Sequence, residues 1–278
     1  MTIFSKSRHS STLLCFILSI TFTFGNGESN DIKFEKVIDS LKTVRSRSPE
    51  RAIRYAREIL DTYGSNDLGH NESRILNTIG EIYLDLNLPA LALSYFIDAN
   101  EKSTVKGKKP WISINIGNVY FQEKAWLNAK EKYLDALDAF RRRNVKHPNA
   151  LSGKTVALSN LGRIEMNLNN HDQALSYFKE ALDLKRNTAR YQAFQKTKLD
   201  AKPAYVGIGV GVANQHYLLS LLYIKWGLSE LALEQCSAID SLMSYLNGKE
   251  DVNYDTSDIL GKNYSRKCEL FTILGEYP

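Results

Sequence analysis

Cysteine is scarce in this sequence, with 3 residues in 278, and the patterns that hold metals are missing. The histidines beyond residue 27 are His70, His147, His171 and His216. They lack the i, i+4 pairing or the cysteine neighbours of a metal site, so we interpret them as exposed or capping residues in loops and turns. The stretch 207–211 is rich in glycine but lacks a P-loop lysine and a preceding strand, and we interpret it as a flexible entry to a helix. The sequence therefore predicts no cofactor, no metal site and no enzyme.

A strong excess of one charge is also absent. The chain has 36 basic and 31 acidic side chains. Removing residues 1–27 takes away Lys6 and Arg8 and no acidic residue, which leaves 34 against 31. The densest basic runs, 106–109 and 141–146, fall in predicted loops, whereas a nucleic-acid-binding protein clusters its basic residues on one face. We expect no nucleic acid partner.

Long apolar runs are absent except at the amino terminus. Lys6 and Arg8 precede an apolar run of about 12 residues, 13–24, which ends at Gly25-Asn26-Gly27. This pattern predicts a signal peptide over residues 1–27, and hence export to a periplasmic or other extracytoplasmic compartment. Membrane anchoring through an uncleaved signal is the alternative. Lipidation of Cys15 is disfavoured because Leu14, which precedes it, is not the small residue that this signal requires.

Glycine recurs inside strongly helical sequence, and each of these glycines is followed twelve residues later by an alanine. A glycine within a helix costs roughly 1 kcal/mol relative to alanine, so a recurrent one indicates that another part of the chain approaches closely. The glycine and alanine pairs are Gly80 and Ala92, Gly117 and Ala129, and Gly162 and Ala174.

An aromatic residue follows each of these alanines after four positions, and a second alanine follows after three more. These pairs are Phe96 and Ala99, Tyr133 and Ala136, and Phe178 and Ala181. The residues and their spacing resemble the tetratricopeptide repeat, a unit of about 34 residues that forms a helix, a turn and a second helix. The resemblance implies an all-α fold, a right-handed solenoid of about five to six units.

The same frame predicts a repeat domain over residues 28–278. Its units lie near 31–64, 73–106, 110–143, 155–188 and 213–246, with a partial unit at 261–278. The copy at 213–246 is weaker, because Ser220 replaces the glycine and Cys236 replaces the aromatic residue. The last unit is incomplete, which predicts a truncated chain. Phe271 and Leu274 would then be left exposed, and self-association through this end would follow.

Cys236 and Cys268 are the two cysteines that lie beyond the predicted signal. Both occupy internal positions of the frame, so each is most simply a small buried residue. Export to an oxidising compartment would also permit a disulfide between them, because their units are adjacent.

In tetratricopeptide arrays the first helix of each unit lines the concave surface, and the resemblance places a predominantly amide set of side chains there. An asparagine supplies both a donor and an acceptor, so such a row could bind the backbone of an extended peptide. Asn115 and Asn160 share one place in the repeat, which resembles the asparagine ladder of the O-GlcNAc transferase and kinesin light chain repeats. Alternatively, asparagine is merely tolerated on a polar helix face. The predicted peptide-binding residues are Asn77, Glu81, Asn115, Asn118, Gln122, Asn160, Arg163, Asn167 and Asn214.

Two functions are therefore expected. The first is an exported scaffold that binds a peptide or protein segment in its concave groove. The alternative is the extracytoplasmic sensor portion of a truncated membrane signalling protein, since the degenerate opening 37–60 resembles the sensor regions of diguanylate cyclases and histidine kinases. The incomplete last unit favours the alternative, and the absence of a second membrane-length apolar stretch favours the scaffold.

Overall fold

The structure is a computed structural model that describes residues 30–63, 68–103, 109–142, 148–188, 203–244 and 256–275. The predicted signal, residues 1–27, lies outside this part. The described residues form eleven α-helices and no strand, which confirms the predicted all-α repeat fold. The helices are α1 (Asn30–Arg45), α2 (Pro49–Thr62), α3 (His70–Asp85), α4 (Pro89–Lys102), α5 (Lys109–Gln122), α6 (Trp126–Arg141), α7 (Pro148–Asn167), α8 (His171–Arg186), α9 (Pro203–Lys225), α10 (Ser229–Met243) and α11 (Ser257–Leu274).

The chain divides into two compact units. Unit 1 covers residues 1–106 and contains α1 to α4, and unit 2 covers residues 107–278 and contains α5 to α11. Within each unit, consecutive helices pack against each other as hairpins, such as α3 with α4, α5 with α6 and α7 with α8. In the described residues no helix is both long enough and apolar enough to cross a membrane.

The recurrent glycines lie where the two helices of a hairpin touch. A Cβ added to Gly117 would lie 2.6 Å from Cε1 of Tyr133, and one added to Gly162 would lie 2.5 Å from Cε1 of Phe178. Real Cβ atoms do not approach other atoms so closely, so only glycine fits against these buried rings. The close approach predicted from the sequence is confirmed. A further glycine in α7, Gly153, lies under the ring of Phe140 on α6, where two neighbouring hairpins touch.

The long first helices α7 and α9 absorb part of the extra sequence between repeats. α7 begins at Pro148, earlier than the predicted boundary at 155, and α9 begins at Pro203. The glycines of 207–211 therefore lie inside α9, and the prediction of a flexible entry there is wrong. One of them makes room for a lysine, since a Cβ on Gly211 would lie 2.7 Å from Lys185 Nζ.

The structure corrects two expectations at the carboxyl end of the chain. Cys236 is buried but Cys268 is exposed, and both are free thiols. Burial raises the pKa of the Cys236 thiol. Phe271 and Leu274 are half-buried, and the exposed apolar side chains of α11 are instead Tyr264 and Ile273.

Candidate functional site

The first helices of the hairpins lie side by side in unit 2. α5 contacts α7, α7 contacts α9, and α9 contacts α11. These contacts skip the intervening second helices, so the four helices share one surface, which we call the first-helix face. In unit 1, α1 and α3 are in contact in the same way.

Asn118 on α5 and Asn160 on α7 are in direct contact on the first-helix face. The Asn118 Oδ1 accepts hydrogen bonds from the Tyr133 hydroxyl at 2.8 Å and from Asn160 Nδ2 at 3.2 Å. Tyr133 is almost fully buried, and burial raises the pKa of its hydroxyl, so it remains a donor. This network fixes the amide of Asn118 and ties α5 to α7.

Arg163 and Phe121 form a second link between the same two helices. The Arg163 guanidinium carbon lies 4.4 Å from the centroid of the Phe121 ring, within the range of a cation–π contact. One turn along α7, Asn167 Nδ2 donates to the backbone oxygen of Arg163 at 2.9 Å. Phe121 is absent from the predicted set. The repeat pattern places it on the concave surface, beside Gln122, so the sequence could have predicted it.

Polar contacts also join α7 to α9 and α9 to α11. The Ser159 hydroxyl donates to Gln215 Oε1 at 3.0 Å, and Lys225 Nζ donates to the backbone oxygen of Met166 at 2.6 Å. Arg266 of α11 lies over the ring of Tyr217 at 5.9 Å. Side chains thus hold each pair of neighbouring first helices in register.

The predicted residues of unit 1 belong to an ion-pair network. Asn77 Nδ2 donates to Glu81 Oε1 at 2.8 Å, and the other oxygen of Glu81 is paired with Arg45 of α1. The Arg45 Nε also donates to Asp85 at 2.9 Å. These side chains connect α1 to α3, so Asn77 and Glu81 are engaged within the protein.

The predicted asparagine ladder takes a different form in the structure. Asn115 is half-buried on α5, whereas Asn160, its equivalent on α7, is 9% exposed and bonded to Asn118. Asn160 pairs with another side chain of the face because α5 and α7 pack closely there. Gln122 and Asn214 are exposed. The structure therefore brings together Asn118 and Asn160, with Arg163 and Asn167 on the next turns of α7.

His216 lies in a buried network that the sequence did not indicate. It is 4% exposed on α9, where Arg186 donates to its Nε2 at 2.9 Å and its Nδ1 lies 2.8 Å from Gln235 Oε1. Since Arg186 cannot accept and the amide oxygen cannot donate, the ring is neutral with its proton on Nδ1. Burial lowers the pKa of His216, and the charge of Arg186 lowers it further against the opposing effect of Gln235. The expectation that His216 is exposed or capping is wrong.

No cluster of three or more His, Cys, Asp or Glu side chains suited to a metal ion occurs among the described residues.

Comparison with known proteins identifies a repeat family for part of the chain. The sequence profile described as tetratricopeptide repeat matches residues 156–188, which cover most of α7 and α8. This stretch is a tetratricopeptide repeat. No curated protein matches it by sequence.

Several solved structures share the fold at low sequence identity. BtubC (BKLC) from P. vanneervenii is 16% identical with a TM-score of 0.55, over 87% of this chain and 85% of that one. The apo form of RapI is 16% identical with a TM-score of 0.53, over 85% and 92% of the two chains. A chain of the APC/C hetero-tetramer Cut9–Hcn1 is 14% identical with a TM-score of 0.53, over 96% of this chain and 44% of that one. At these identities the likeness establishes the fold alone.

Proposed function

We propose that the protein is an exported scaffold that holds an extended peptide or protein segment on the first-helix face of unit 2. The observation that carries the proposal is the Asn118 and Asn160 pair. Within the described part of the chain, Asn118 Nδ2 and Asn160 Oδ1 make no hydrogen bond, and neither is among the buried unpartnered atoms. The Asn118 amide thus keeps an unused donor on α5 and the Asn160 amide an unused acceptor on α7, and a peptide group needs one of each.

The surroundings of this pair suit a peptide ligand. Phe121 and Arg163 lie on the same two helices, the ring providing apolar contact and the guanidinium a positive charge. Tyr133 already fixes the Asn118 amide, so binding would cost little side-chain entropy there. Recognition of a peptide backbone by fixed amides does not depend strongly on the sequence of the ligand.

The test begins with peptides selected from a random phage-displayed library on the full chain. The best peptide is then titrated against the wild type and against the Asn118→Ala, Asn160→Ala double variant, which removes both amides of the pair. Each lost neutral hydrogen bond is worth about 0.5–1.5 kcal/mol, so we expect the affinity to fall by about one to two decades.

Lys179→Ala on α8 is the matched control, because Lys179 is exposed on a second helix and lies outside the face. It should bind like the wild type. Circular dichroism verifies that both variants are folded. A folded double variant that keeps full affinity would show that the peptide does not bind on the first-helix face.

Export is part of the proposal and is supported by the sequence of residues 1–27 alone. Fusion of this segment to alkaline phosphatase, which is active only after export from the bacterial cytoplasm, provides the test. An inactive fusion that is expressed at normal level would contradict export. Cleavage, read by the mass of the exported fusion, distinguishes a removed signal from a membrane anchor.

The alternative function, the sensor portion of a diguanylate cyclase or histidine kinase, would use the same face to detect its ligand. It is supported by the resemblance of residues 37–60 to such regions. The coding sequence after the codon for Pro278 tests it: an open frame into a membrane span and a catalytic domain supports the sensor, and a stop codon excludes it.

A further inference from the structure

The acidic side chains of unit 2 are unevenly divided between its first and second helices. The first helices α5 and α9 contain no aspartate or glutamate, and α7 contains one, Glu165. Glu165 is 1% exposed and is paired with Lys130 of α6. The second helices α6, α8 and α10 contain three acidic residues each. The three first helices therefore present no exposed acidic side chain.

Arg163 of α7 is a half-buried cation of the first-helix face that lacks a polar partner. Within the described part of the chain its guanidinium makes no hydrogen bond and no ion pair, and it lies over the ring of Phe121. The other half-buried arginines of the described residues, Arg45, Arg74 and Arg266, each pair with a side-chain oxygen. Because a partly desolvated charge is favourable only when it is paired, the unused N–H donors of Arg163 indicate an acceptor supplied by a ligand.

Arg163 lies close to the amide pair. It follows Asn160 by three residues, which places both side chains on one side of α7, about 4.5 Å apart along the helix axis. Its charge lowers the pKa of Tyr133 against the larger effect of burial, and the Tyr133 hydroxyl donates to Asn118. An extended peptide advances by about 3.3 Å per residue. A peptide group held by the two amides would thus bring a side chain to Arg163 within one or two residues.

Lys225 of α9 adds a second positive charge one turn further along α7. Its Nζ donates to the backbone oxygen of Met166 at 2.6 Å, and Met166 follows Arg163 by three residues. This bond uses one of the three N–H donors of the ammonium. Since the three first helices present no exposed acidic side chain, the two cations give the face a positive potential, which favours an acidic ligand.

We propose that the ligand of the first-helix face is an acidic peptide, one of whose carboxylates accepts hydrogen bonds from the Arg163 guanidinium. A carboxylate can accept two N–H groups of one guanidinium, and Phe121 already holds this side chain. Because α5 and α9 extend the face on both sides of α7, the peptide continues past Arg163, and the carboxylate is that of an aspartate or glutamate side chain. The inference rests on the proposed function and adds the chemical class of the ligand.

The test uses the peptide selected from the random library on the full chain, synthesised with an amidated carboxyl terminus. We expect it to contain aspartate or glutamate. The acidic residues are replaced one at a time by asparagine or glutamine. One of these replacements should lower the affinity for the wild type by about tenfold or more, because it removes a charge-assisted pair.

The matching change in the protein is Arg163→Gln, which removes the charge and keeps a polar side chain. It should weaken the acidic peptide by about tenfold or more and leave the affinity of the neutral peptide nearly unchanged. Arg141→Gln is the matched control, because Arg141 is an exposed arginine of α6 paired with Glu180, and it should bind like the wild type. Circular dichroism verifies folding, and the change made in the peptide keeps the test decisive if Arg163→Gln folds poorly.

Four results would overturn this inference alone, provided that binding still depends on Asn118 and Asn160. They are selected peptides without an acidic residue, full affinity of the acidic peptide for folded Arg163→Gln, a requirement for a free carboxyl terminus, and displacement of the peptide by a short oligothymidylate. Failure to select any peptide, or binding that depends on neither asparagine, would overturn the proposed function and this inference together.

Discussion

Gly162 shows how a single residue sets the distance between two helices. The buried ring of Phe178 on α8 occupies the space that a Cβ at this position of α7 would need. The ring is fully buried and packed on all sides, so it cannot move aside cheaply.

Gly162→Ala should therefore destabilise the protein by about 1–3 kcal/mol, the usual cost of overpacking. The measurement is urea unfolding followed by circular dichroism. Gly261→Ala is the matched control, because a Cβ there meets nothing within 4 Å in α11. It should stabilise the helix by up to about 1 kcal/mol. Equal effects of the two substitutions would contradict the packing argument.

His216 should make stability depend on pH. Its folded-state pKa is lowered from 6.5, mainly by burial, so between these two values the unfolded chain binds more protons. The contribution of His216 is fully present above pH 6.5 and is lost as the pH falls through that value toward the lower folded-state pKa.

His216→Gln isolates this effect, because glutamine can donate to Gln235 and accept from Arg186 but does not titrate. We expect the free energy of unfolding of the wild type to decline on acidification below pH 6.5 more steeply than that of the variant. Thermal melts over a pH series compare the two slopes. Parallel curves would show that the ring is already protonated or accessible in the folded state.

At the scale of the element, the turns inside the hairpins share one backbone geometry. The residue seven places after the glycine position has a positive φ in four hairpins. These residues are Asn87 at 59°, Lys124 at 58°, Asn169 at 61° and Gly227 at 78°. Glycine and asparagine tolerate this left-handed conformation, and lysine is strained by it.

Lys124→Gly should therefore raise the free energy of unfolding by about 0.5–1 kcal/mol, the relief of strain exceeding the entropy that glycine loses. Asn87→Gly should change it less, because asparagine already accepts the conformation. Gly227→Ala should lower it by about 1 kcal/mol. Urea unfolding ranks the three variants, and a loss of stability in Lys124→Gly would contradict the geometry of this turn.

At the scale of the whole molecule, unit 2 has its own core, which consists of two buried clusters. One buried cluster includes Tyr133 and Phe140, and a second includes Phe178 and Tyr223. Repeat arrays are stabilised mainly by contacts between neighbouring repeats, so a block of complete neighbours retains most of its stabilising contacts.

A fragment of residues 107–278 should therefore fold by itself. We expect a helical circular dichroism spectrum, a cooperative thermal transition and dispersed methyl resonances. A fragment that is helical but melts without cooperativity would show that its packing depends on residues 1–106.

Self-association remains a prediction, and the structure changes the residues that test it. Tyr264 and Ile273 of α11 are 58% and 56% exposed, so Ile273→Glu should make the protein more monomeric. Leu127→Glu is the control, since Leu127 is 74% exposed on α6. Light scattering over a concentration series measures both. A wild type that stays monomeric throughout would exclude association through this helix.

The sequence by itself determined the repeat, because its signal is local and periodic. Glycine, alanine and aromatic residues at fixed spacing identify the positions where two helices touch, and Gly117 lies against Tyr133 as this spacing requires. Such positions allow little variation in side-chain size, so the pattern can be recognised in one sequence alone.

Only the tertiary structure decided which polar side chains meet. Asn118 and Asn160 are 42 residues apart in the chain, and Glu165 meets Lys130 from another repeat. No periodic signal marks such pairs, since polar residues on a helix face satisfy the same pattern whether they reach solvent or bond to each other. The physical reason is that a hydrogen bond tolerates a change of only a few tenths of an ångström between its donor and acceptor. The packing of the helices sets these distances, and the repeat pattern does not specify them.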